Sequence, residues 1–297
     1  MSDLFALDID LELKWSLEMG FLEKTLLIAR KNSSLLCIGL DPEITQIPSS
    51  LIKQFGDNAI TEFNRRIIES TKDLVCGYKP NSAFYEALGP HGLQILIETR
   101  KLIPKEIPMI LDIKRGDIDN TNRKYAEAAF DIYNADAVTL NPYLGLDSIE
   151  PFLSYKDRGL LLLCRTSNPG AKDIQDLICN GKPLYHVMAE RIREWGSIKK
   201  TSQIGAVVGA TYPEELASVR QILGEELIIL VPGVGKQAGE LEKSAKAGIN
   251  SQGERAVINA SRSVLYASPN EDFADAARME AMRLRDIINQ TTERVIQ

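Results

Sequence analysis

Two carboxylates and an ammonium stand within six residues of one another at Asp112, Lys114 and Asp117, in the segment PMILDIKRGDIDNT that runs from Pro108 to Thr121. Met109, Ile110, Leu111 and Ile113 mark that segment as a strand, and Gly116 ends it. Side chains alternate along a strand, so Asp112 and Lys114 are expected on one face. Full charges beside such an apolar run are tolerable only when paired. An ammonium set among aspartates offers fixed positive charge and a proton, and is a poor nucleophile for Schiff-base chemistry. A structural ion pair on a half-exposed strand explains any single D-x-K equally well, so the decision rests on where the other charges fall.

They fall at comparable places. Asp41 closes GLDP, Lys79 closes GYK, Ser167 follows GLLLLCRT and Arg262 follows AVINAS. A turn explains each of these alone, yet all must be mere turns together for a common site to vanish. PGVGKQAG, from Pro232 to Gly239, exposes backbone N–H groups through glycines, and NASRS brings the Arg262 guanidinium at the next strand end. That pairing is the chemistry of a phosphate site after the last two strands of a barrel. GVGKQ is not a nucleotide P-loop, because the G-x-x-x-x-G-K-[ST] spacing is missing, and Lys236 is read as a solvated lysine.

The elements that must hold these residues repeat along the chain. Short apolar runs begin at Leu35, Asp73, Pro108, Asp136, Gly159, Ile204, Leu227 and Ala256, with amphipathic helical patterns such as NAITEFNRRIIESTKD and PEELASVRQILG between them. This alternation predicts parallel strands covered by helices. Eight such units predict a (β/α)8 TIM barrel, in which the strand ends listed above converge on one mouth. The doubly wound open sheet is the competing fold, but the first strand is followed by GLDPE rather than a glycine fingerprint. Residues 1–34 are expected to form an N-terminal helical extension packed on the barrel, with helical spacing from about Leu11 to Lys31, and residues 35–297 the barrel itself. The longest connection, from about Ala171 to Gln203, holds a loop and a helix that could serve as a lid.

Apolar content of 44% and charged content of 26% are those of a soluble globular protein. A net charge of −6 argues against nonspecific nucleic-acid binding while leaving room for a small anion in a locally basic cleft. The N-terminus lacks the order of a secretory signal, and no apolar run approaches a membrane-spanning length. Cys37, Cys76 and Cys164 sit in apolar runs and Cys179 lies alone, which reads as free thiols in a reducing, cytoplasmic compartment. Two histidines, His91 and His186, leave little material for a zinc site or a Ser-His-Asp triad.

Taken in order, these blocks resemble the orotidine 5'-phosphate decarboxylases, and within them the longer bacterial branch sometimes called type 2. DIKRGDIDNT is similar to that family's D-x-K-x-x-D-I-x-x-T signature through Asp112, Lys114, Asp117, Ile118 and Thr121. GLDP with Asp41, YKPN with Lys79, TSNPGA with Ser167, PGVGKQ with Gln237 and NASRS with Arg262 follow the family's other blocks, so the resemblance runs from about Leu35 to Ala267. It implies a homodimer that converts orotidine 5'-phosphate to uridine 5'-phosphate and carbon dioxide, the last step of de novo pyrimidine synthesis, with no metal or organic cofactor. By similarity Lys79, Asp112, Lys114 and, from the partner subunit, Asp117 form a Lys-Asp-Lys-Asp array facing the pyrimidine carboxylate, with Lys114 as proton donor. Asp41 and the partner subunit's Thr121 would hold the sugar, Ser167 the pyrimidine edge, and Gln237 and Arg262 the phosphate, next to Pro232. The alternatives are a sugar-phosphate decarboxylase or aldolase of the same superfamily that holds an enediolate on Mg²⁺, and a catalytically silent phosphate-binding barrel.

Overall fold

Strands with no face to give to water must be covered on both sides, and every residue of Leu36–Gly39 (β1), Ala137–Leu140 (β4) and Ala256–Ala260 (β8) is buried. The computed structural model describes residues 19–198, 203–234 and 238–292. Between those strands lie Gly77–Lys79 (β2), Ile110–Arg115 (β3), Gly159–Arg165 (β5), Gln203–Val208 (β6) and Ile229–Pro232 (β7). All pair in parallel in the order β2-β1-β8-β7-β6-β5-β4-β3. Bridges from Tyr78 to Met109 and from Asn81 to Asp112 join β2 to β3. Asp112 N donates to Pro80 O at 2.9 Å across that seam, so the sheet closes into the expected (β/α)8 barrel.

The helical patterns form where the 3.6-residue spacing places them, for example Ala59–Thr71, Gly89–Leu102 and Pro213–Leu223. The TNRKYAEAAFDIYN pattern gives a helix over Asp119–Glu127 that loosens into a π-helical turn over Ala128–Ile132. In the long connection after β5 a short helix, Lys172–Gln175, precedes a small antiparallel hairpin of Ile178–Cys179 with Lys182–Pro183, and then comes the helix Leu184–Ile198. Among the described residues no helix is long and apolar enough to cross a membrane. Cys37, Cys76 and Cys164 are buried, Cys179 is half-buried, and none of the four is in a disulfide.

Residues 1–18 of the N-terminal segment lie outside the described residues, but the helix Phe21–Lys31 packs against the N-terminal ends of β4 and β5. Gly159 must be glycine there, since a Cβ would lie 2.2 Å from Cδ1 of the buried Phe21. Lys24 of the same helix reaches Asp136, whose Oδ1 accepts from Lys24 Nζ at 2.6 Å. Asp136 Oδ2 accepts from Arg100 Nη2 at 3.3 Å and from Met109 N at 2.8 Å. One buried carboxylate thus ties the entry helix, the helix before β3 and the residue that leads into β3. Removing one member of such a group strands the others as buried charges. We expect Asp136→Ala to lower stability by about 3–5 kcal/mol in urea unfolding; a loss under about 1 kcal/mol would contradict this role.

Candidate active site

The C-terminal strand ends enclose a cavity of about 380 Å³, lined among others by Asp41, Lys79, Asp112, Pro232, Asn259 and Arg262. Its floor is built around Asp112. Lys79 Nζ, buried at the end of β2, donates to Asp112 Oδ2 at 2.8 Å, and Lys114 Nζ donates to Asp112 Oδ1 at 2.6 Å. The Lys114 side chain is 47% exposed whereas those of Lys79 and Asp112 are under 10%, so Lys114 meets Asp112 from the more solvent-exposed side, beside the cavity and not among the residues that line it.

Simple alternation does not place that ammonium. The register of β3 against β4 shifts between Leu111 and Arg115, and Lys114 takes a φ of +43°. A non-glycine residue there costs on the order of 1 kcal/mol or more and must be held by its surroundings. Thr139, buried in β4, holds it: its Oγ1 accepts from Ile113 N and Lys114 N, each at 3.0 Å, and donates to Asp112 Oδ1 at 2.7 Å. The same hydroxyl therefore fixes the bulge and orients the carboxylate. The sequence reading passed over Thr139; the available signal was one hydroxyl in the otherwise apolar strand AVTL.

Burial, the largest single influence, would raise the Asp112 carboxyl, but Lys79 and Lys114 outweigh it and hold the group well below the usual carboxylate range. For Lys79 burial pulls the ammonium down, while Asp112 and Asp41 more than compensate and leave its pKa raised. Asp41 Oδ1 accepts from Asn81 N at 3.0 Å, which fastens the end of β1 to the turn after β2. Arg262, exposed and also lining the cavity, opens a short helix directly after β8. Beside it Asn259 Oδ1 and Ser263 Oγ are buried without hydrogen-bond partners. A cavity lined by charged groups, a guanidinium and unused polar atoms suits an anionic, hydroxyl-bearing ligand.

Not every expected residue joins this cavity. Ser167 follows β5 and leans on Gly209, and Gly233 of the cavity wall lies nearby. Asp117 Oδ1 accepts from Ile118 N at 2.8 Å, and Asp117 pairs with no cation among the described residues. Thr121 is exposed on the helix Asp119–Glu127. Gln237 and Lys236 lie outside the described residues.

The fold and the site define a (β/α)8 barrel with a Lys-Asp-Lys cluster at the C-terminal ends of its strands. The model of the orotidine 5'-phosphate decarboxylase / HUMPS family matches residues 34–277, most of the chain, and the chain belongs to this family. It is 46% identical over 274 residues to the orotidine 5'-phosphate decarboxylase of Ralstonia pickettii, covering 92% of this chain and 99% of the relative. The corresponding protein of Herpetosiphon aurantiacus is 50% identical over 263 residues, covering 88% and 95%. Among solved structures, OMP decarboxylase of Leishmania donovani superposes with a TM-score of 0.81 at 37% identity, covering 93% of this chain and 100% of that one.

The depressed Asp112 pKa carries a stability consequence. A carboxyl whose folded pKa lies below its unfolded one contributes fully above the unfolded value and loses that contribution as pH falls through the folded value. We expect the stability gap between wild type and Asp112→Asn, measured by urea unfolding, to be constant from about pH 7 to about pH 5 and to shrink below about pH 4. A gap that stays unchanged to about pH 2.5 would contradict the ion-paired assignment.

Proposed function

We propose that the protein decarboxylates orotidine 5'-phosphate to uridine 5'-phosphate and carbon dioxide, as the final step of de novo pyrimidine synthesis in the cytoplasm. The observation that carries this reading is the Lys79–Asp112–Lys114 cluster, two of whose members line a cavity that Arg262 lines as well. Its kinship with proteins named as decarboxylases favours this reaction over the aldol chemistry of a sugar phosphate.

In this reading the bond from the ring carbon to the carboxylate breaks and its electron pair stays on the ring carbon. The resulting carbanion is localised and needs nearby positive charge, then a proton. Lys114 supplies both: its ammonium stands at the mouth by virtue of the Asp112 hydrogen bond, gives its proton to the carbon, and regains one from solvent. Lys79 and Asp112 fix the charge pattern around it, so little reorganisation accompanies the reaction. Asp41 binds the ribose, Ser167 the pyrimidine edge, and Arg262 with Gln237 the phosphate beside Pro232. Grip on the phosphate, remote from the reacting carbon, contributes binding energy for orientation.

The array is completed in a homodimer, where Asp117 and Thr121 of each chain serve the other's cavity. Three features support this: the Asp117 carboxylate has no cation of its own among the described residues, Thr121 is exposed, and the adjoining Ile118 and Tyr143 are 57% and 79% exposed. An apolar rim of that kind is suited to cover by a second copy.

Purified protein is expected to release carbon dioxide from orotidine 5'-phosphate, and that activity should survive both EDTA and borohydride. Lys114→Ala should abolish turnover even at saturating substrate, because the lost interaction is made in the transition state. Metal-dependent activity or borohydride inactivation would overturn the proposal.

A further inference from the structure

Ser167 is carried by the loop that follows β5, between Thr166 and Asn168. That loop is fastened from behind by Arg165, the last residue of β5. The pairing of β5 with β6 shifts register between Leu163 and Arg165, and the Arg165 side chain, 1% exposed, lies outside the cavity. Its Nε donates to Glu215 Oε2 at 2.5 Å, and Nη2 donates to Glu215 Oε1 at 3.3 Å. Asp176 Oδ1 stands 3.0 Å from Nη2 as a charge contact without hydrogen-bond alignment. The rings of Tyr185 and Tyr212 lie 5.2 and 5.6 Å from the guanidinium carbon. A planar fork hydrogen-bonded to one carboxylate, in charge contact with a second and flanked by two rings is a rigid mount that lysine could not reproduce.

Gln175 transmits that rigidity. Its Oε1 accepts from Arg165 Nη1 at 3.3 Å and from Thr166 N at 2.9 Å, and its Nε2 donates to Thr166 Oγ1 at 2.8 Å. Thr166 Oγ1 in turn donates to Asn168 Oδ1 at 2.7 Å. Both neighbours of Ser167 are thereby fixed while Ser167 faces the other way. On that side a Cβ at Gly209 would lie 2.8 Å from Ser167 Cβ and 3.0 Å from its backbone nitrogen, so the serine fits only against a glycine.

We propose that Arg165 and Gln175 are positioning residues that set recognition of the pyrimidine edge by holding Ser167 against Gly209. This rests on the role given to Ser167 above. A hydroxyl displaced by a fraction of an ångström loses its alignment with the base while the phosphate end is untouched.

The test compares Ser167→Ala, Arg165→Met, Gln175→Leu and the double variant Ser167→Ala/Gln175→Leu. The readouts are kcat and KM for orotidine 5'-phosphate and competitive inhibition by ribose 5-phosphate, which carries no base. We expect each single variant to lose about ten-fold in kcat/KM, with ribose 5-phosphate inhibition unchanged, and the double variant to be no worse than Ser167→Ala alone. Should Arg165→Met not fold, Gln175→Leu and Gly209→Ala carry the same expectation. Additive losses in the double variant, or equal weakening of ribose 5-phosphate, would overturn the proposal. Full activity of Gln175→Leu with impaired Ser167→Ala would also overturn it. If Ser167→Ala itself is silent, the pyrimidine-edge role fails, and the positioning role falls with it.

Discussion

The Asp112 carboxylate accepting from two ammonium groups is the interaction on which the site depends. A lysine as buried as Lys79 cannot stay charged beside an apolar barrel core without an opposite charge, and Asp112 cannot stay ionised there without both lysines. The ionisation of Lys79 and that of Asp112 are therefore each a condition of the other's. Thr139 adds the geometric half of the constraint by pinning the bulge that brings the Lys114 ammonium back onto Asp112. The strain in the Lys114 backbone is the local cost of delivering a charged side chain from within a buried strand to the mouth.

The same device appears twice in this barrel with different outcomes. Asp136, before β4, also accepts from two cations, Lys24 and Arg100, but at the N-terminal end all three are closed over by the helix Phe21–Lys31 and serve only to join elements. At the C-terminal end the Lys114 side chain stays half-exposed beside a cavity, so its charge is open to solvent. Position along the strand axis, more than residue type, separates the structural cluster from the chemical one.

Much of this was legible in the sequence for identifiable reasons. Strands buried on both faces leave near-continuous apolar runs, so the eight units and their barrel closure could be read directly, and charges interrupting those runs marked Asp112, Lys114 and Lys79. The bulge could not be read, because nothing in IKR announces a lysine at positive φ. Thr139 was hidden as one hydroxyl in a strand, and Arg165 passed as the end of an apolar run although its partners Gln175 and Glu215 lie ten and fifty residues onward. The hairpin at Ile178–Pro183 is too short to leave a periodicity. Asp117 and Thr121 line no part of the cavity within one chain, and the resemblance, not the spacing, is what assigned them to the partner's cavity.

Completion of the charge array by a second copy of the chain is therefore the central claim, and subunit exchange tests it most directly. Lys114→Ala and Asp117→Ala chains, each inactive alone, are mixed and allowed to exchange, with mixed dimers verified by mass. In a mixed dimer one cavity collects both lesions and the other receives both residues intact. Random pairing makes about half the dimers mixed, so activity should return to roughly a quarter of the wild-type level, by the reciprocity of a two-fold interface. A mixture that has demonstrably exchanged and yet stays inactive would contradict the shared site.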